Sequence, residues 1–439
     1  MRLLVISLAL VAAASAYEVQ IRYSAPVLGF VLKTTGQERI GGVVFNYVIN
    51  NVAYQARGIQ TSDGWLYRTR DVKLDGADAV HANAQIYDVS GNLRLTTQRS
   101  VLKLSGERTD LARLPSRQIR AATIFRDDFN SFDANKWNYE VSMYGGMNWE
   151  FQVYTNDKQN VFTRNGQLYL KPTFTVDDPR FDENFLKNGK MDMTQLFGVC
   201  TQSANYGCSR EGKYGLLPPV MSGKVKSVPT LKYGTVEVRA RIPKGDWLWP
   251  AIWMLPRDNK YGGWPRSGEI DIMESRGNAG PMGVGTVTST LHWGTAWDQN
   301  RYSLTHGEKK SNSWHDSFHT WRLDWSPDHL ITFIDDQQIM AVYPPSGGFW
   351  QKGGFSGNNI WGGNKMAPFD QEFYMIFNVA VGGTNGFFPD GNLYPTTKPW
   401  KNSSPHAAED FWTKRSTWDG SWQGDNVAMI IDYVEFKSR

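Results

Sequence analysis

Cysteine is nearly absent from this chain of 439 residues: only Cys200 and Cys208 occur. No CxxC, HExxH, P-loop or post-strand GxGxxG is present, so zinc ribbons, zincins and nucleotide-binding units lack their usual signals. Charge of one sign is scarce too. The 47 basic and 43 acidic residues leave a net charge of +4. The short basic stretch Arg113–Arg120 reads as a solvated linker, so there is no electrostatic footprint for nucleic acid. Long apolar runs are missing beyond the N-terminus, which argues against a membrane span. Sustained helical periodicity is missing from residues 17–95 as well.

What is present begins at the N-terminus. Met1-Arg2, the apolar run Leu3–Ala13 and the small residues Ala14-Ser15-Ala16 form a signal-peptide pattern, predicting a secreted chain that starts at Tyr17. In that compartment Cys200 and Cys208 are expected to pair, closing a short loop worth about 2–3 kcal/mol; two buried free thiols are the alternative. Asn402-Ser403-Ser404 is an acceptor triplet for glycosylation at Asn402.

The length suits two domains. Residues 17–97 read as short strands separated by turn signals such as Asp63-Gly64 and Ser90-Gly91, a small β-sandwich of immunoglobulin type. Residues 98–122 read as an Arg-rich linker that packs partly as strand. Residues 123–439 form a second all-β domain, an antiparallel jelly-roll sandwich. There Val236, Val238 and Ala240 alternate with Glu237, Arg239 and Arg241, and Trp321, Leu323 and Trp325 with Arg322 and Asp324, the period of half-buried strands. Val427–Phe436 reads as a closing strand. Aromatic residues are plentiful, with 18 Trp, 19 Tyr and 22 Phe. They suit both a large β core and the stacking of rings on sugar faces, and composition leaves the two open.

The sharpest feature is Gly268-Glu269-Ile270-Asp271-Ile272-Met273-Glu274. On a regular strand Glu269 and Asp271 share a face and Glu274 falls on the other. A β-bulge at Ile272-Met273 would insert one residue and return Glu274 to the acidic face, with Ile270 and Ile272 directed into the core. Three carboxylates so placed repel one another. A solvated face, the usual source of a charge cluster, does not account for the aromatic residues on both sides, and calcium prefers oxygen ligands on a flexible loop, whereas this segment is β-branched and strand-like. Glycoside hydrolysis uses such a set: one carboxylate attacks the sugar, a second stays protonated to serve the leaving oxygen, and the pair stands about 5–5.5 Å apart in retaining enzymes. Asp271, between the two, is suited to separating their pKa values.

The stretch Tyr233–Asn278 resembles the core of laminarinase-type family 16 glycoside hydrolases, in the animal branch that includes the invertebrate β-1,3-glucan recognition proteins. The likeness is carried by ExDxxE at Glu269–Glu274, by Trp264-Pro265 and by WLWPAIWML at Trp247–Leu255. Looser similarity runs from about Phe125 to the C-terminus, through GGMNWEFQVYTND at Gly145–Asp157, LHWG at Leu291–Gly294 and FNVAVGG at Phe377–Gly383. The resemblance implies a jelly roll with a cleft over its concave sheet. It implies Glu269 as nucleophile, Asp271 as its helper and Glu274 as acid/base. It places Trp249, Trp253 and Trp264 along the cleft, His292 near the reacting sugar and Asn148 on a sugar hydroxyl, and it matches Cys200 and Cys208 to a cysteine pair of animal members. Trp247, Trp249 and Trp253 share strand parity, so at least one is free to be core.

Expected on this reading is a secreted, monomeric, endo-acting β-1,3-glucanase. It needs no cofactor, a structural calcium ion being left open, and it has a β-glucan polysaccharide as partner and no membrane. The alternatives are a non-hydrolytic β-glucan recognition protein of innate immunity, or another family 16 activity such as transglycosylation. Intact Glu269, Asp271 and Glu274 favour hydrolysis. The N-terminal domain weakly resembles the β-glucan-binding module of the recognition proteins, through Gly64-Trp65-Leu66-Tyr67 and Asp71–Asp78. His81-Ala82 stands where a ring is expected, so a purely structural sandwich is its other reading.

Overall fold

Alternating side chains account for the architecture. Along Gly234–Arg241 every second residue is buried, with Val236, Val238 and Ala240 facing inward and Glu237, Arg239 and Arg241 half-exposed, because a pleated strand presents successive side chains to opposite faces. The computed structural model describes residues 17–24, 27–34, 40–49, 52–61, 64–69, 79–88, 93–96, 100–103 and 122–438. The signal-peptide pattern, Arg113–Arg120 and Asp71–Asp78 lie outside them. The chain divides into two compact units, 1–118 and 119–439.

In the first unit, Tyr17–Ser24, Val27–Thr34, Gly64–Thr69 and Ile59–Thr61 lie side by side in one antiparallel sheet. Val52–Arg57, Ile40–Ile49, Ala79–Asp88 and Leu93–Thr96 form a second, to which Ser100–Lys103 adds on Ala79–Asp88. The strand Ser100–Lys103 falls inside the stretch read from sequence as linker. Leu28, Phe30 and Leu32 from one sheet meet Val43, Phe45, Ala84 and Ile86 from the other in a common core.

The second unit packs two large antiparallel sheets face to face. One runs Val161–Arg164, Gln167–Leu170, Met429–Lys437, Gly234–Arg241, His319–Trp325, Leu330–Ile334 and Gln337–Val342, with Thr123–Asp127 also on Met429–Lys437. The other runs Trp137–Tyr139, Lys224–Leu231, Phe373–Val381, Leu248–Pro256, Glu269–Ser275, Thr286–His292 and His306–Lys310. Val236, Val238, Trp321, Leu323 and Trp325 of the first sheet share a core with Ile252, Met254, Ile270, Ile272, Met375 and Phe377 of the second. A short three-stranded sheet carries one parallel pair, Gln152–Tyr154 with Val220–Ser222. No helix among the described residues is long and apolar enough to cross a membrane.

Candidate active site

The acidic strand sits near the middle of the seven-stranded sheet, between Leu248–Pro256 and Thr286–His292. Gly268 opens it at φ 86°, in the left-handed region that favours glycine, and a Cβ there would stand 2.9 Å from the Phe369 ring. Glu269 pairs with His292 and Asp271 with Thr290, but Glu274 pairs with Thr288. Three residues on one strand therefore span two on its neighbour. The other neighbour shows the same slip, with Trp253 opposite Asp271 and Ile252 opposite Met273. This is the β-bulge at Ile272-Met273 expected from the ExDxxE spacing. Ile270, Ile272 and Met273 are fully buried, whereas Glu269 and Glu274 are half-buried.

Each carboxylate has its own partner. The Trp264 indole N–H donates to Glu269 Oε2 at 2.7 Å, and the Trp249 indole N–H to Glu274 Oε1 at 2.9 Å. Asp271, 2% exposed, has Oδ2 at 3.3 Å from His292 Nε2. Asn300 Oδ1 accepts the backbone N–H groups of Trp293 and Tyr302, which orients its Nδ2 toward His292 Nδ1 at 2.8 Å. In the neutral ring this leaves Nδ1 as acceptor and puts the proton on Nε2, facing Asp271.

Burial and crowding raise Asp271 and Glu274. Burial pushes Asp271 well above the usual carboxylate range, and the charges of Glu269 and Glu274 add to this against the opposing pull of His292. Glu274 is also raised, by burial first, while His292 and the Trp249 hydrogen bond draw it back down. Burial lowers His292, but Asp271, Glu269 and Glu274 outweigh it and lift the imidazole to about 9; the Asn300 amide opposes that second proton. Glu269, Asp271 and His292 bring ligand atoms within 4.8 Å of one another. A set containing imidazole does not suit calcium, which takes oxygen ligands.

The aromatic residues divide. Trp247 is wholly buried and packs edge-on against Phe388, Tyr394 and Trp400, and Trp249, 8% exposed, belongs to the same core, which leaves Trp253 as the half-buried member of the trio. Trp249 lies parallel to Phe387 at 3.8 Å, and the Arg276 guanidinium stands 4.1 Å from the Phe387 ring. One face of Trp249 is thus covered, and its N–H serves Glu274. The indole of Trp253 donates to Asn378 Oδ1 at 2.6 Å, with Lys224 Nζ 5.2 Å from its ring. Trp264 is 48% exposed and neighbours His292, which stacks on Tyr302 at 5.5 Å. Asn148 donates to Glu150 Oε1 and accepts from Asn385 Nδ2. Cys200 and Cys208 form a disulfide. The Asn402 Oδ1 accepts from Lys398 Nζ and its Nδ2 donates to Phe388 O, the second a bond that a glycan on that nitrogen would disturb. Asn300, Asn378, Lys224, Tyr302 and Phe387 were not singled out from the sequence. Asn378 lies within FNVAVGG and Phe387 within a Gly-bounded loop, the only local signals they carry.

The sequence profile described as Glycosyl hydrolases family 16 matches residues 172–359. A β-1,3-glucan-binding protein of Penaeus monodon is 46% identical over 330 residues, 71% of this chain and 88% of that protein. Glucan endo-1,3-beta-glucosidase A1 of Niallia circulans is 33% identical over 298 residues, 62% of this chain and 36% of that protein. Among solved structures, the laminarinase from Rhodothermus marinus aligns over 72% of this chain and 97% of its own, at 22% identity and a TM-score of 0.47. The chain belongs to glycosyl hydrolase family 16, together with invertebrate β-1,3-glucan-binding proteins.

Proposed function

We propose that this protein is a secreted, endo-acting hydrolase that cleaves β-1,3-glucan with retention at the anomeric carbon. Glu269, oriented by Trp264, attacks that carbon as the glycosidic bond breaks, and Glu274 gives its proton to the departing oxygen. The resulting glycosyl ester on Glu269 is opened by water, whose proton passes to Glu274, which regenerates both groups. Asp271, buried between the two with its protonated form favoured, is placed to hydrogen-bond the nucleophile, and His292 Nε2 stands 3.3 Å from its Oδ2. The chemistry needs no cofactor.

The observation carrying this reading is the bulge, which puts both glutamates on one face while their environments differ. A binding protein gains nothing from repelling carboxylates. A second reading has its own support: the relative at 46% identity is named a glucan-binding protein, which favours recognition without cleavage. The two are separated by incubating the mature protein with laminarin and following reducing ends, beside Glu269→Gln. Hydrolysis predicts release by the native protein alone, with binding retained in the variant. Binding without release by either protein would establish recognition and end the hydrolase reading.

A further inference from the structure

Three large side chains of the second unit stand in solvent on backbone that disfavours them. Met147, Trp149 and Tyr206 are 66%, 60% and 80% exposed, with φ of 64°, 55° and 58°. Left-handed backbone costs any residue bearing a Cβ, and a ring left in water returns nothing to folding. Such outliers gather where a protein contacts a ligand.

The surrounding structure holds them there. The loop closed by Cys200 and Cys208 carries Tyr206 and is fastened to the segment carrying Met147 and Trp149. Met143 N donates to Gly207 O at 2.9 Å. The Arg210 guanidinium bridges Met143 O and Asn205 O, and Asn205 Nδ2 lies 3.3 Å from Met147 Sδ. A chain of contacts also ties this segment to the acidic site. Asn148, between Met147 and Trp149, accepts Thr384 N at 2.8 Å and Asn385 Nδ2 at 2.9 Å. That same loop lays Phe387 on Trp249, the donor to Glu274.

We propose that Met147, Trp149 and Tyr206 form an auxiliary platform that carries the β-1,3-glucan chain beyond the two-glutamate centre. Rings with an apolar face and a polar edge suit pyranose faces and their hydroxyls. The platform rests on the proposed function for its ligand, and it makes chain-length preference a property of the disulfide loop.

The test uses the full chain bearing Glu269→Gln, so that ligand is not consumed. Binding of laminaritriose and laminariheptaose is measured by calorimetry, with and without Trp149→Ala plus Tyr206→Ala. The heptasaccharide is expected to bind more tightly than the trisaccharide, and the double truncation to reduce that gain on the order of tenfold, as truncation of anchoring rings does. Trp149→Phe plus Tyr206→Phe keeps the rings and retains most of the gain. An unchanged gain in the alanine variant overturns the platform while leaving the glucan site intact. Failure of the Glu269→Gln protein to bind either sugar removes the glucan reading itself, and the platform with it.

Discussion

Replacing Glu140 by Gln should destabilise the second unit by about 3 kcal/mol at neutral pH. Glu140 is 2% exposed and is paired to the Lys226 ammonium and, at 3.5 Å, to Lys224 Nζ; Ser142 Oγ donates to it at 3.0 Å. Burial alone would raise its pKa, but the two lysines prevail and hold it at about 2 against an ordinary 4.5. At about 1.36 kcal/mol per pKa unit, its ionised form is favoured by about 3 kcal/mol. Removing one partner of a buried pair costs about 3–5 kcal/mol. Burial and the neighbouring Lys224 keep Lys226 below its own usual range in spite of Glu140, so the lower end of that range applies. The sign follows from the depressed carboxylate: its contribution is complete above pH 4.5 and is lost as pH falls through about 2. Urea unfolding of both proteins at pH 7 and near pH 3 measures it. A gap under about 1 kcal/mol at pH 7, or one of equal size at both pH values, would refute the reasoning. Because Lys224 also lies against the Trp253 ring, the variant should raise KM for glucan more than it lowers kcat.

Trp249→Phe keeps the stack on Phe387 and deletes the hydrogen bond to Glu274. That bond lowers the pKa of Glu274, so its loss should move the alkaline limb of the kcat/KM profile to higher pH; a limb that stays still, or moves down, would contradict this assignment. Asn378→Leu removes the acceptor that orients Trp253 and should raise KM severalfold with a smaller change in kcat, as steady-state kinetics on laminarin would show. Cys200→Ser plus Cys208→Ser opens a loop of eight-residue separation and should cost about 2–3 kcal/mol in urea unfolding.

Local pattern made part of this legible. The ExDxxE spacing demanded an extra residue if its end carboxylates were to meet, and the slip at Ile272-Met273 supplies it on both flanking strands. Parity likewise grouped Trp247, Trp249 and Trp253, but only three-dimensional packing could divide them. Trp247 is buried by Phe388, Tyr394 and Trp400, which are far from it in sequence. The residues that orient the site were illegible for the same reason. Asn378 reaches Trp253 across 125 positions, and Phe387 meets Trp249 only after a loop folds back. Met147, Trp149 and Tyr206 follow no period at all; their exposure and positive φ are set by turns and by the disulfide loop. Strand periodicity carries information about faces, whereas contacts of high sequence separation depend on the assembled sheets.

The most direct test of the two-glutamate mechanism is the anomeric configuration of the first sugar released. Proton NMR of the mature protein acting on a β-1,3-glucan oligosaccharide should show the β-anomer of the new reducing end appearing first and then mutarotating. First appearance of the α-anomer would contradict the roles given to Glu269 and Glu274, and no release at all would contradict hydrolysis.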